Sequence, residues 1–208
     1  MTTQRRCLFA LFLAFSFLFH FASALWPMPR SLQTGTTFLK LSSTFNINVS
    51  DISQVPQDLN DAISRTMSRL DTDQLQRLIV GRGANDSTAL TNAPSLAQLT
   101  LALTPNSPPI QSIMNETTKE ITGRSESYSL TIPDTDQGVA ILTANSSLGL
   151  LRGLTTFEQL WYEVNGTVYS YQAPVDITND SPAYVRVPFM CLPSLRLSIY
   201  IIVPVLPR

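Results

Sequence analysis

Fifteen acidic side chains hold most of the catalytic potential of this 208-residue chain, because its single histidine, His20, sits in an apolar run near the N-terminus. With that run set aside there is no imidazole to act as base, acid or metal ligand near neutral pH. Its absence removes Ser-His and Cys-His nucleophilic sites and the His-Glu-X-X-His zinc pattern. Carboxylates alone cleave a glycosidic bond when two of them face each other across a sugar. Here Glu116, Glu120, Glu126, Glu158 and Glu163 are scattered with ten aspartates among polar loops and helix faces, and no two stand out as such a pair. Isolated charges of this kind are ordinarily solvated. Gly81-Arg82-Gly83 lacks the Gly-Lys-Ser/Thr that completes a phosphate loop and reads as a turn with a surface arginine. We therefore expect no catalytic residue, no metal ligand and no cofactor-binding residue.

A second chemistry is covalent modification. Asn-X-Ser/Thr occurs at Asn48, Asn85, Asn115, Asn145, Asn165 and Asn179, each an N-glycan acceptor in a chain that enters the secretory pathway. Asn179 is the weakest, because Pro182 follows its Ser181. Residues 1–24 read as the signal that would send the chain there: Arg5 and Arg6 form a basic start, Leu8 to Phe21 an apolar centre, and Ala22-Ser23-Ala24 a small-residue cleavage site. Secretion to the extracellular space follows, with glycans on Asn48, Asn85, Asn115, Asn145 and Asn165. Cys7 would leave with the signal, so Cys191 finds no internal disulfide partner. A formal charge of −1 and no run of Lys or Arg argue against nucleic acid as a partner. Residues 185–208 are apolar, but Pro193, Arg196 and Pro204 interrupt them short of the ~20 residues a spanning helix needs, so we expect no membrane anchor.

The elements that would position these groups are legible by period. Phe45, Ile47 and Val49 alternate as in a half-buried strand. Pro56 suits a first helical turn, after which Leu59, Ile63, Met67 and Leu70 fall on one helical stripe. Leu75–Val80 cannot be assigned by period alone. Leu99, Leu101 and Leu103 alternate again, as do Tyr128, Leu130 and Ile132, and Val139–Leu142 is a β-prone run behind a turn-like Pro133–Gly138. Ser146 or Ser147 can cap a second helix whose Leu150, Leu154, Phe157 and Trp161 share a face. Gly149 and Gly153 each cost that helix about 1 kcal/mol of propensity, which points to close packing. Asn165-Gly166 between Tyr162–Val164 and Thr167–Tyr169 is a hairpin signal. The order suggests an α+β fold, a mostly antiparallel sheet with two long helices packed on one face.

Asn145 through Trp161, with Leu25-Trp26-Pro27-Met28-Pro29, Gly81-Arg82-Gly83, Glu126–Leu130 and Asp180-Ser181-Pro182-Ala183-Tyr184, resembles the N-terminal, non-catalytic domain of secreted fungal β-N-acetylhexosaminidases of glycoside hydrolase family 20. The resemblance implies a zincin-like layer without metal, packed against a (β/α)8 barrel that removes terminal N-acetylglucosamine or N-acetylgalactosamine with the substrate's own acetamide as nucleophile. In the family an adjacent Asp-Glu pair on a barrel strand carries that step. This sequence contains no Asp-Glu dipeptide, and Val187 stands where the family has a sugar-holding arginine, with Arg186 one position off. We expect a signal peptide over 1–24, a hexosaminidase-like N-terminal domain over 25–184, and an atypical tail over 185–208 that marks a truncated or mis-spliced end. A chain of that kind, with no (β/α)8 barrel, would be inactive alone and would pair with the catalytic barrel of a full-length relative. The alternative is a stand-alone secreted binding or interaction domain.

Overall fold

Residues Gly138–Ala144 alternate between buried and outward positions, with Ala140 and Leu142 inside, Val139 and Ile141 exposed and Thr143 half-buried. That period places one sheet face on a core and leaves the other open. A computed structural model describes residues 25–72 and 82–180 of the chain. The signal-like residues 1–24, the unassigned Leu75–Val80, Gly81 and the tail from Ser181 onward, with Arg186, Val187 and Cys191, lie outside the described residues.

The described elements are β1 (Leu32–Asn48), α1 (Gln57–Thr72), a 3-10 turn (Ala84–Asp86) running into the short α2 (Ser87–Leu90), β2 (Ser95–Leu103), α3 (Ile113–Thr118), a second 3-10 turn (Ile121–Gly123), β3 (Tyr128–Ile132), β4 (Gly138–Ala144), α4 (Ser147–Gln159), β5 (Tyr162–Val164) and β6 (Thr167–Asp180). The strands form one six-stranded sheet in the order β1-β2-β4-β3-β6-β5, with β1 also pairing to β6. Four of its six pairings are antiparallel, as the sequence suggests, and β1–β2 and β2–β4 are parallel. A parallel pair needs a crossover. The connection from β1 to β2 carries α1, and the path from β2 to β4 carries α3 and β3.

β1 is far longer than the Phe45–Val49 alternation indicates. Its first half pairs with β6 (Leu32 to Ile177, Lys40 to Tyr169) and its second half with β2 (Lys40 to Ser95, Asn48 to Thr100). The polar Gln33–Thr37 stretch shows no apolar period, and long-range pairing to β6 makes it a strand anyway. Gly35 permits this, since a Cβ there would overlap the Ala173 carbonyl.

α1 and α4 pack side by side, and α4 lies on β3 and β4. The buried side of α1 is Leu59, Ala62, Thr66 and Leu70, while Ile63 and Met67 are only half-buried, so the stripe is turned slightly from the one the apolar residues mark. Small Ala62 and Thr66 face α4, bordering the cleft between the two helices, and the Thr66 hydroxyl bonds Glu158. Leu150, Leu154 and Phe157 are buried as expected; Trp161 is also fully buried, but lies beyond the last helical residue, Gln159. Ser146 caps α4, its hydroxyl accepting from the Gly149 amide at 3.1 Å. A Cβ on Gly149 would stand 2.5 Å from the Ser127 carbonyl oxygen, and one on Gly153 would overlap Leu142. Both glycines are therefore contact points of helix on sheet. The resulting core joins Leu99, Leu101, Leu130, Ile132, Leu142, Val175 and Ile177 of the sheet to Leu59 and the α4 face. A smaller cluster gathers Leu90, Ala93, Tyr162 and Tyr169 near the β5–β6 hairpin.

Candidate functional site

Most of the carboxylates considered as catalytic candidates are engaged in ion pairs or hydrogen bonds, some between elements and some within one. Glu158 of α4 accepts from the Thr66 hydroxyl and pairs with Arg69 of α1 at 2.8 Å, binding the two long helices. Glu126 pairs with Arg152 at 3.0 Å, and the buried Glu116 with Lys119 at 2.7 Å. Glu163 accepts from the Gly166 amide within the hairpin. Glu120 is exposed. Asp58 accepts from the Met114 amide, Asp180 from the Arg30 amide, and Asp136 from both the amide and the hydroxyl of Ser95. The Ser95 amide and hydroxyl hold the Asp136 carboxyl below its ordinary value.

The tightest polar group surrounds Tyr169. Its hydroxyl donates to Asp86 at 2.6 Å and accepts from the Gly83 amide at 3.1 Å. Arg82 reaches Asp86 at 3.5 Å and lies 4.2 Å over the ring of Tyr171, a cation–π geometry. Burial, then the hydrogen bond to Asp86, pushes the Tyr169 hydroxyl up to about 12. Arg82 is thus a half-buried strap on the hairpin rather than the surface arginine that its glycine neighbours suggest. Nothing local in the sequence reveals this, because Asp86 and Tyr169 are 83 residues apart.

Three clefts among the described residues are each lined by a single carboxylate. One of about 710 Å³ lies between the end of α1 and the hairpin and contains Asp71; one of about 240 Å³ lies between α1 and α4 and contains Glu158; one of about 310 Å³ lies beside α3 and contains Glu116. A retaining glycosidase with an enzymic nucleophile needs two carboxyls about 5 Å apart, and none of the three offers them. No group of three His, Cys, Asp or Glu side chains among the described residues is placed to hold a metal ion. No described helix is long and apolar enough to cross a membrane.

The sequon asparagines are spread over the surface. Asn85, Asn115, Asn145, Asn165 and Asn179 are exposed; Asn48, paired through its backbone to Thr100 at the end of β1, is half-buried and accepts from the Ser50 amide. Asn165 and Gly166 have φ of 50° and 76° and form the two-residue tip that the sequence indicates. Asn145 differs in its surroundings from Asn48, Asn85, Asn115 and Asn165, whose Ser50, Ser87 and Thr117 are exposed and Thr167 half-buried. The two serines that complete its sequon, Ser146 and Ser147, are 4% and 0% exposed.

The described residues form an α+β layer in which several ionic groups tie helices, strands and loops together. The chain belongs to the β-acetyl hexosaminidase-like domain family of glycoside hydrolase family 20, whose model matches residues 25–160. Among curated proteins nothing matches the chain. Similar solved structures include the chitobiase of Flavobacterium johnsoniae (20% identity over 76% of this chain and 20% of that one, TM-score 0.48). The family 20 exo-β-N-acetylglucosaminidase of Vibrio harveyi is also similar (14% identity, 78% of this chain and 20% of that one, TM-score 0.46). So is the family 20 β-N-acetylhexosaminidase of Streptomyces coelicolor (16% identity, 78% and 27%, TM-score 0.38). The chain spans about a fifth of the length of the first two of these.

Proposed function

We propose that this domain is the non-catalytic N-terminal layer of a secreted, fungal-type β-N-acetylhexosaminidase, and that hydrolysis of terminal N-acetylglucosamine or N-acetylgalactosamine takes place on a barrel it supports. The observation that carries this reading is the condition of the acids: Glu158 and Glu116, the carboxylates of two of the clefts, are already bound by Arg69 and Lys119, and neither faces a second acid in its cleft. The docking face is the helix layer. Trp26 and Met28 are exposed where the Trp26 backbone ties to Gln159 of α4, and Met114 is exposed where its amide ties to Asp58 of α1. Large exposed apolar side chains at the rim of a helix pair suit a protein partner. In this reading the chain passes through the secretory pathway and carries N-glycans on its exposed sequons.

The direct test supplies the purified chain with a chromogenic N-acetylglucosaminide. No turnover is expected; turnover abolished by an N-acetylglucosamine-type inhibitor would refute the proposal.

A further inference from the structure

We propose that Asn145 accepts a glycan only while α4 is unformed, whereas Asn165 remains open to the transferase in the folded chain. This deepens the reading of both asparagines as N-glycan acceptors and rests on it.

Transfer joins the Asn carboxamide nitrogen to C1 of the donor sugar. The C1–O bond to the lipid pyrophosphate breaks, the pyrophosphate leaves with that electron pair, and the nitrogen gives up one proton. The donor is thus a lipid-pyrophosphate-linked oligosaccharide. The acceptor must present the carboxamide together with the hydroxyl two residues on, as the Asn-X-Ser/Thr requirement itself implies.

At Asn145 the carboxamide is on the surface and the hydroxyl is not. Ser147 is fully buried at the start of α4. Ser146, between them, donates to the Ser125 carbonyl at 2.6 Å, accepts from the Gly149 amide, and bonds through its own carbonyl to the Leu150 amide at 3.1 Å. Exposing Ser147 would therefore break the cap and first turn of α4 and lift Gly149 from Ser127. Because Gly149 and Gly153 seat the whole helix on β3 and β4, that opening is an unfolding of the core rather than a local fluctuation.

A second observation agrees. The Ser147 hydroxyl has no hydrogen-bond partner among the described residues, so nothing described in the fold makes use of it. A buried hydroxyl without a partner is unfavourable, and in this reading its use precedes folding. A glycan already attached is compatible with the fold, since Asn145 is exposed and borders the cleft lined also by Asn106, Glu116 and Lys119.

Asn165 is the opposite case. It forms the tip of a hairpin whose β5 has three residues, and Thr167 is half-buried at the start of β6. Asn165 and Gly166 are exposed, and only the Val164–Thr167 pair next to the tip must open to present Thr167, leaving the buried Tyr162–Tyr169 pair intact.

The test uses the full chain made in a host without N-glycosylation. Native and urea-unfolded, rapidly diluted samples are incubated with a single-subunit oligosaccharyltransferase and a lipid-linked donor, and occupancy is read at each asparagine by mass spectrometry. Expected is modification of Asn165 in both samples and of Asn145 at least tenfold more in the unfolded one. Phe157→Ala, which loosens α4, should raise Asn145 occupancy in the native sample, and Ser147→Ala should abolish it in both. Equal modification of Asn145 in the two samples would overturn the timing inference alone. No transfer to any asparagine, even unfolded, would overturn the acceptor reading and the timing with it.

Discussion

The two buried clusters are built on different principles. Under α4 the contacts are mostly apolar and glycine-mediated, with one buried hydroxyl pair between Tyr128 and Thr156: Leu142 presses on Gly153, and Phe157 meets Trp161 edge-on with centroids 5.4 Å apart. Around Tyr169 the cluster is small and its specificity lies in hydrogen bonds, with Asp86, Gly83 and Arg82 converging on one side of β6. The first resists changes of volume and the second changes of protonation. Shape complementarity holds the helices to the sheet, while directional bonding pins a loop that has few apolar side chains to contribute.

The largest test of this contrast is Phe157→Ala, which empties a fully buried position. It should cost about 3–5 kcal/mol in a urea titration, enough to leave a small domain marginal. Gly153→Ala is sharper, because helix propensity favours Ala by about 1 kcal/mol while overpacking against Leu142 costs about 1–3 kcal/mol. A net loss of stability is expected, and a more stable variant would show that the contact is not tight.

In the second cluster, alkaline pH should act through Tyr169. Its folded value of about 12 lies above the ordinary 10, so above pH 10 the unfolded chain loses a proton that the folded chain keeps. The stability this represents is intact below pH 10 and is lost as pH rises through 12. Urea midpoints measured from pH 9 to 12 should fall less steeply in Tyr169→Phe. The smallest effect expected is that of Ser147→Ala, which removes a buried hydroxyl with no partner among the described residues. Its thermal midpoint should stay level or rise, by no more than about 1 kcal/mol of stability.

Much of the scaffold was legible because its signals are local. The period-2 runs in β2 and β3, the β-prone run in β4, a serine cap at Ser146 or Ser147, the apolar face of α4 and the Asn165-Gly166 tip need only neighbouring residues to form, and the structure has each of them, with Ser146 as the cap. The first half of β1 escaped because Gln33–Thr37 is polar and becomes a strand only by pairing with β6. The rotation of the α1 stripe escaped because Ala62 and Thr66 are buried for being small, which no hydrophobic period records. Of the sequons, the positions were plain and the accessibility was not: Ser147 reads as a possible helix cap, and only the seating of α4 on the sheet buries it.

From its residues alone this chain determined its family, its two long helices and its hairpins, since periodicity, capping and composition act over a few positions. Tertiary structure decided that β1 would bridge β2 and β6, that Arg82 would strap the hairpin, and that Arg30 would meet Asp180 across 150 residues. Those outcomes depend on which faces come together in space, and contacts so distant along the chain leave no pattern in any window of sequence.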